Sequence, residues 1–215
     1  MSLLRVDGYS VSLDGFGAGP NQSLQHPLGV NGHALHGWLT SSRTFFREVL
    51  HKEGGAEGPD NDIAERCMAN LGAWILGRNM FAHSRGPWTD DGWKGWWGDE
   101  PPYHVPTFVL THHARPSIEM KGGTVFHFVT GGIHEALERA REAAGARDIR
   151  VGGGAATIRQ YLQAKLIDRM HVALSPVLLG QGERLWEGVD LPTLGYAVSS
   201  RTQTEHATHI VIERR

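Results

Sequence analysis

The sequence predicts an α/β domain in which a largely parallel central sheet is flanked by helices and receives an antiparallel strand at its C-terminal side. Three observations carry that expectation. Short apolar runs of strand length alternate with helical-period stretches through the middle of the chain, the pattern of parallel strands joined by crossover helices. The last part of the chain then offers strands without intervening helices. Finally, "RVGGGAATIRQYL", residues 150–162, sets three glycines where a strand gives way to a helix. Glycine loses the most conformational freedom on folding, so a run of three points to a backbone with a task that side chains would obstruct.

Taken in order, residues 3–13 read as the first strand, with Tyr9, Val11 and Leu13 on one alternation and Asp7-Gly8 as a bulge. From "LDGFGAGPN" to Gly37 the chain is a loop long enough to be functional or mobile. "WLTSSRTFFREVL", residues 38–50, keeps a helical period through Trp38, Phe45, Phe46 and Val49, and "EGGAEGPDN" breaks it. A second helix, "DIAERCMANLG" at 62–72, starts at an Asn or Asp cap and ends at Gly72. "AWILG" (73–77), "TFVLT" (107–111) and "TVFHFVTG" (124–131) are buried strands, the first two separated by a tryptophan-rich excursion at 87–104. "GIHEALERAREAAG" forms a helical stripe from Ile133, Ala136, Leu137, Ala140 and Ala144, closed by Gly145. "DIRV" leads into the glycine triplet, and Ile158, Tyr161, Leu162 and Leu166 place the next stripe on a helix over 155–167. "RMHVALSPVLLG" (169–180) and "HATHIVIER" (206–214) alternate as the last strands. No repeat, low-complexity tract or linker divides the chain, so residues 1–215 are expected to form one domain.

Bulk properties narrow the function classes. With 21 Lys and Arg against 23 Asp and Glu in 215 residues, nothing predicts a nucleic-acid surface or an anionic membrane as partner. Cys67 is the only cysteine, which excludes an internal disulfide and fits a reducing compartment. The N-terminal stretch has no signal-peptide core, and no run approaches the roughly 20 apolar residues of a membrane span. A cytoplasmic location is the resulting expectation.

Ligands of such sheets bind at the carboxyl ends of the strands, where three loops attract attention. Gly152, Gly153 and Gly154 leave the backbone open, and the start of the following helix favours an anion such as a diphosphate. The alternative is a tight turn with no ligand. "LGRN" (76–79) repeats the transition with Gly77 at the turn and Arg78 beyond it, and "LTHH" (110–113) ends the next strand with a hydroxyl and two imidazoles. Each of these also has an ordinary reading as solvated loop. In one parallel sheet, however, all three open on the same edge. The usual dinucleotide fingerprint fits poorly, because Gly152-x-Gly154-x-x-Thr157 lacks its third glycine.

"SLDGF" (12–16), "ILGRNMF" (75–81), "FVLTHHAR" (108–115) and "VGGGAATIRQYLQAKLIDRMHVALSPVLLGQGERLW" (151–186) resemble the reductase domain of the riboflavin-biosynthesis enzymes, within the dihydrofolate reductase-like superfamily. The resemblance spans nearly the whole chain in order. It implies a dihydrofolate reductase-like sheet of about eight strands and an NADPH-dependent reductase that forms a homodimer. It implies further that Val151 to Ala155 and Thr157 hold the diphosphate and nicotinamide side, with Gly77 and Asn79 close by, and that Arg78, Thr111 and His112 face the adenosine 2′-phosphate.

On the substrate side the resemblance points to the loop after the first strand and the helix that follows. Asp14 is the polar candidate near the reacting atoms, or else a plain Asp-Gly turn; Trp38 stacks on a heterocycle or lies in the core. Ser42 belongs to the same wall, and Arg43 or Arg47 pairs with a ribose phosphate or sits on a solvated helix face. The substrate is a small molecule, either 5-amino-6-(5-phosphoribosylamino)uracil or a related heterocycle or carbonyl compound. Dihydrofolate itself is disfavoured, since the first helix offers only Glu48, near its end. One cysteine cannot supply the zinc site of the deaminase half of the bifunctional enzymes. The spacing of His104, His112 and His113 matches no standard metal site, so no metal is expected. Trp88, Trp93, Trp96 and Trp97 lie outside the shared pattern and either lid the cleft or pack on a second subunit. A binding module or sensor that kept the cofactor loops without catalysis is the alternative function.

Overall fold

A computed structural model describes residues 2–89 and 92–215. In chain order the elements are β1 (Leu4–Ser12), a 3-10 turn at Gly32–His36, α1 (Gly37–Thr40), α2 (Arg43–Glu48), α3 (Pro59–Met68), β2 (Leu71–Gly77), α4 (Arg78–Phe81), β3 (Pro106–Leu110), β4 (Ile118–Glu119), a 3-10 turn at Lys121–Gly123 and β5 (Val125–Val129). Then follow α5 (Gly132–Ala144), β6 (Asp148–Gly153), α6 (Ala155–Gln163), β7 (Arg169–Ser175), α7 (Leu191–Leu194), β8 (Tyr196–Gln203) and β9 (Thr208–Arg214). Among the described residues nine strands make one sheet in the order β4-β5-β3-β2-β6-β1-β7-β9-β8. From β5 through β7 all neighbours are parallel; β4, β9 and β8 pair antiparallel at the two edges.

Strand alternation assigns side chains to the two faces. Along β2, Ala73 and Ile75 join the larger core with Ala136, Leu137 and Ala140 of α5 and Ile158, Tyr161 and Leu162 of α6. Trp74 and Leu76 belong to a second cluster with Phe81, Tyr103, Val109, Phe126 and Phe128. A third cluster sets Trp38 against Ile63, Ala64 and Cys67 of α3 and Ala173 of β7. The register of β1 against β7 shifts between Val6 and Tyr9, which places the expected bulge at Asp7-Gly8, with Gly8 at φ +64°.

Several boundaries differ from the sequence expectation. The single helix at 38–50 is two short helices, because the Ser42 side chain accepts a hydrogen bond from the Phe45 amide and starts α2 afresh. The second helix begins at Pro59 and stops at Met68, and β2 has already started at Leu71. Leu13 lies beyond β1 and is exposed. The two-residue β4 and the polar β8 escape the apolar alternation because neither buries a face: only Tyr196 of β8 is buried.

Candidate functional site

The order β3-β2-β6 brings the ends of three parallel strands side by side, and Leu76 of β2 pairs with Gly153 of β6. Close approach is built in at Gly77, where a Cβ would stand 2.3 Å from Thr157 Oγ1. A cavity of about 920 Å³ opens along this edge, near the upper end of small-molecule pockets. It is bordered by Gly77, Arg78 and Asn79, by Thr111, His112 and His113, and by Gly152, Gly154, Ala155, Ala156 and Thr157. The three loops singled out in the sequence therefore share one cavity.

Within the triplet, Gly153 has φ +130° and is joined to Gly154 by a cis peptide bond. Gly154 caps α6 without any side-chain hydrogen bond, and a Cβ there would meet nothing within 4 Å. The first-turn amides of a helix have no intrahelical acceptor, so this uncapped start faces the cavity as an anion cradle. Arg78 stands opposite. Its Nε donates to the Ser84 carbonyl at 3.2 Å, its Nη1 to Thr111 Oγ1 at 3.4 Å, and its guanidinium lies 3.7 Å over the Trp88 ring. Its Nη2 is buried and unpartnered. Burial, with the guanidiniums of Arg115 and Arg85 nearby, pushes the Arg78 pKa below the usual arginine value. An open glycine position and an orphaned guanidinium nitrogen on one cavity fit a phosphorylated dinucleotide.

The remaining predicted residues divide. Trp38 borders the cavity although fully buried, its indole N–H donating to Ser10 Oγ at 2.9 Å, so it is at once core and wall. Val151 is core, and Gly153 lies behind the cavity wall, where a Cβ would come within 3.0 Å of the Tyr9 ring. The structure does not bring Asp14, Ser42 or Arg43 to the cavity. Asp14 accepts the amides of Leu179 at 3.1 Å and Gly180 at 2.7 Å, and the Ser12 hydroxyl together with these amides holds its pKa down to about 2. It clasps the loop after β1 to the loop after β7. Ser42 is spent as the α2 cap, and Arg43 turns outward to pair with Glu57. Arg47 likewise pairs with Glu48 and Glu65.

Sequence reasoning missed other cavity residues: Tyr9, Arg85, Tyr103, Arg150 and Glu183. Arg150 had a readable signal, a lone cation inside the apolar run that leads to the triplet. The tryptophan-rich segment, of which Asp90 and Asp91 lie outside the described residues, is fastened to α4 and to the loop after β3. Its indoles donate from Trp88 to the His113 carbonyl (2.6 Å), from Trp93 to Phe81 (2.8 Å) and from Trp96 to Asn79 (3.4 Å). Among the described residues no three His, Cys, Asp or Glu side chains are grouped to hold a metal, and no helix is long and apolar enough to cross a membrane.

Residues 8–210 match the RibD C-terminal domain family. The chain belongs to that family. Solved structures agree on the fold, which is dihydrofolate reductase-like. A protein described as a riboflavin biosynthesis protein from Shewanella sp. PV-4 superposes with a TM-score of 0.60 at 20% identity, covering 100% of this chain and 99% of that one. Dihydrofolate reductase from Enterococcus faecalis, complexed with NADP(H), gives 0.54 at 12% identity, over 99% and 96% of the two chains. The diaminohydroxyphosphoribosylaminopyrimidine deaminase/5-amino-6-(5-phosphoribosylamino)uracil reductase of Thermotoga maritima gives 0.56 at 11%, over all of this chain and 57% of that longer one. No curated protein matches this RibD C-terminal domain chain.

Proposed function

We propose that the protein is an NADPH-dependent reductase of a small heterocyclic or carbonyl compound. The observation that carries the reading is the single cavity bordered by the open Gly154 position, the uncapped start of α6 and the unpartnered Arg78 nitrogen. Membership of the RibD C-terminal domain family supports it, as does the NADP(H) complex of the Enterococcus neighbour. Bound there, a dihydronicotinamide supplies a hydride. The chain's own contribution is position and charge. The backbone from Gly152 to Thr157 takes the diphosphate, and Asn79 lies on its flank. Arg78, Thr111 and His112 take the 2′-phosphate, with the guanidinium pre-oriented by Trp88 and Thr111. Trp38 walls the substrate side.

Titrating NADPH against tryptophan fluorescence tests the reading, because Trp38, Trp74, Trp96 and Trp97 all border the cavity. Saturable quenching is expected, and its absence overturns the proposal. Turnover with a panel of carbonyl compounds, followed at the nicotinamide absorbance, then separates a reductase from a sensor that only binds.

A further inference from the structure

We propose that a second cavity, of about 470 Å³ between α3 and the outer strands of the sheet, is a binding site for a small organic oxyanion that carries hydroxyl groups, and that its occupancy reaches the large cavity through the Asp7-Gly8 bulge of β1. The proposal goes beyond the reductase reading and does not depend on what the large cavity binds.

Strand register lays out the floor of this second cavity. Arg169 and His171 of β7 stand beside Glu213 and Val211 of β9, and Val211 and His209 of β9 stand beside Ser200 and Thr202 of β8. Side chains two apart on a strand share a face, so all of these point the same way. Helix α3 packs on Ala173 of β7 through Ile63, Ala64 and Cys67 and leaves Ser200 and Thr202 exposed. A trough therefore remains beside the helix, with Arg66 on its wall.

The lining chemistry selects the ligand. Arg66 has no ion pair among the described residues, and Arg169 has only a distant one, its Nη2 standing 3.7 Å from Asp7 Oδ1. Two guanidiniums with donors to spare on one trough fit an oxyanion. The hydroxyls of Ser200 and Thr202 and the Glu213 carboxylate, the one acidic group lining the trough among the described residues, suit hydroxyls carried beside it. Two contacts at the floor then lead to the bulge. Arg169, with Arg5, is a counterion of Asp7, whose carboxylate accepts no hydrogen bond among the described residues, and His171 Nδ1 accepts the Gly8 amide at 3.0 Å. Gly8 borders the large cavity, and Cys67 borders both. An oxyanion that draws Arg169 outward removes charge from Asp7 and shifts the bulge, so the two cavities are coupled.

Citrate and glycerol 3-phosphate, a carboxylate and a phosphate source of the same chemistry, are the probes. Calorimetric titration is expected to show saturable binding of at least one of them, and the one that binds names the source. Arg66→Gln, at an exposed position, is expected to weaken that binding about tenfold or more, whereas Arg78→Ala, in the large cavity, changes it less than threefold. In amide NMR spectra the Gly8 resonance is expected to move with saturation in the parent and to stay in place in Arg66→Gln at the same probe concentration. Failure of both probes to bind, binding lost in Arg78→Ala but kept in Arg66→Gln, or a Gly8 amide that does not respond overturns the inference.

Discussion

A Cβ on Gly152 would stand 2.7 Å from Leu76 Cδ2 and 3.0 Å from the Trp74 ring, whereas one on Gly154 would touch nothing. Adjacent glycines are therefore kept for different reasons, the first by packing inside the sheet and the second by open space at the cavity. Gly152→Ala is expected to lower stability by about 1–3 kcal/mol through overpacking, read by urea denaturation. Gly154→Ala is expected to leave the denaturation midpoint in place, since φ there is −71°, and to weaken NADPH binding at least tenfold by filling the cradle. Arg78→Ala is expected to weaken NADPH about tenfold to a hundredfold and NADH by less than threefold, because only the former carries the 2′-phosphate; paired titrations decide it. The triplet and Arg78 were legible in the sequence because each stands where an apolar run ends. Asp14 stood in such a place too. Its carboxylate accepts a pair of amides at Leu179 and Gly180, more than a hundred residues away and invisible to a local pattern.

Elements were legible where they bury a stripe and obscure where side chains intervene in the backbone. Helix α5 follows its apolar period from Ile133 to Ala144, and the strands β2, β3 and β5 follow their apolar runs. Between Trp38 and Val49 the same periodicity continues across a break, because Ser42 is 1% exposed and its hydroxyl both donates to the Leu39 carbonyl and accepts the Phe45 amide. Ser42→Ala is expected to cost about 1 kcal/mol, the usual worth of an N-cap, measured as a shift in urea midpoint at constant slope. The tryptophan segment was legible only as an anomaly. It is held by three indole N–H groups donating to backbone carbonyls, two on α4 and one on the loop after β3, a pairing that composition announces and only the fold can specify.

Across the whole molecule, pH acts through histidines that folding strips of water. His171 sits between the Gly8 amide, which donates to its Nδ1 at 3.0 Å, and His209 Nδ1, 3.0 Å from its Nε2; His209 Nε2 in turn lies 2.8 Å from Asp60. Cys67 Sγ, 3.5 Å from His171 Nδ1, and the guanidiniums of Arg66, Arg150 and Arg169 complete the charged and polar surroundings. Burial first, then His209 and these cations, drives the His171 pKa down to about 3, and burial lowers that of His209 as well. Burial also takes His36 down to about 4. A histidine whose folded pKa lies below its unfolded value of about 6.5 binds its proton preferentially in the unfolded chain. The stability it confers is thus complete above pH about 6.5 and declines as pH falls toward 4 for His36 and 3 for His171, below which both states are protonated. Each such group adds a slope of about 1.4 kcal/mol per pH unit inside its window. Denaturant titrations between pH 7 and about 4 should therefore show a steady loss of stability. In His171→Gln the slope should fall by about one group's share, whatever the variant loses uniformly at all pH values. An unchanged slope would mean that His171 is charged in the folded protein, and the hydrogen bond it accepts from Gly8 would then have to be reassigned.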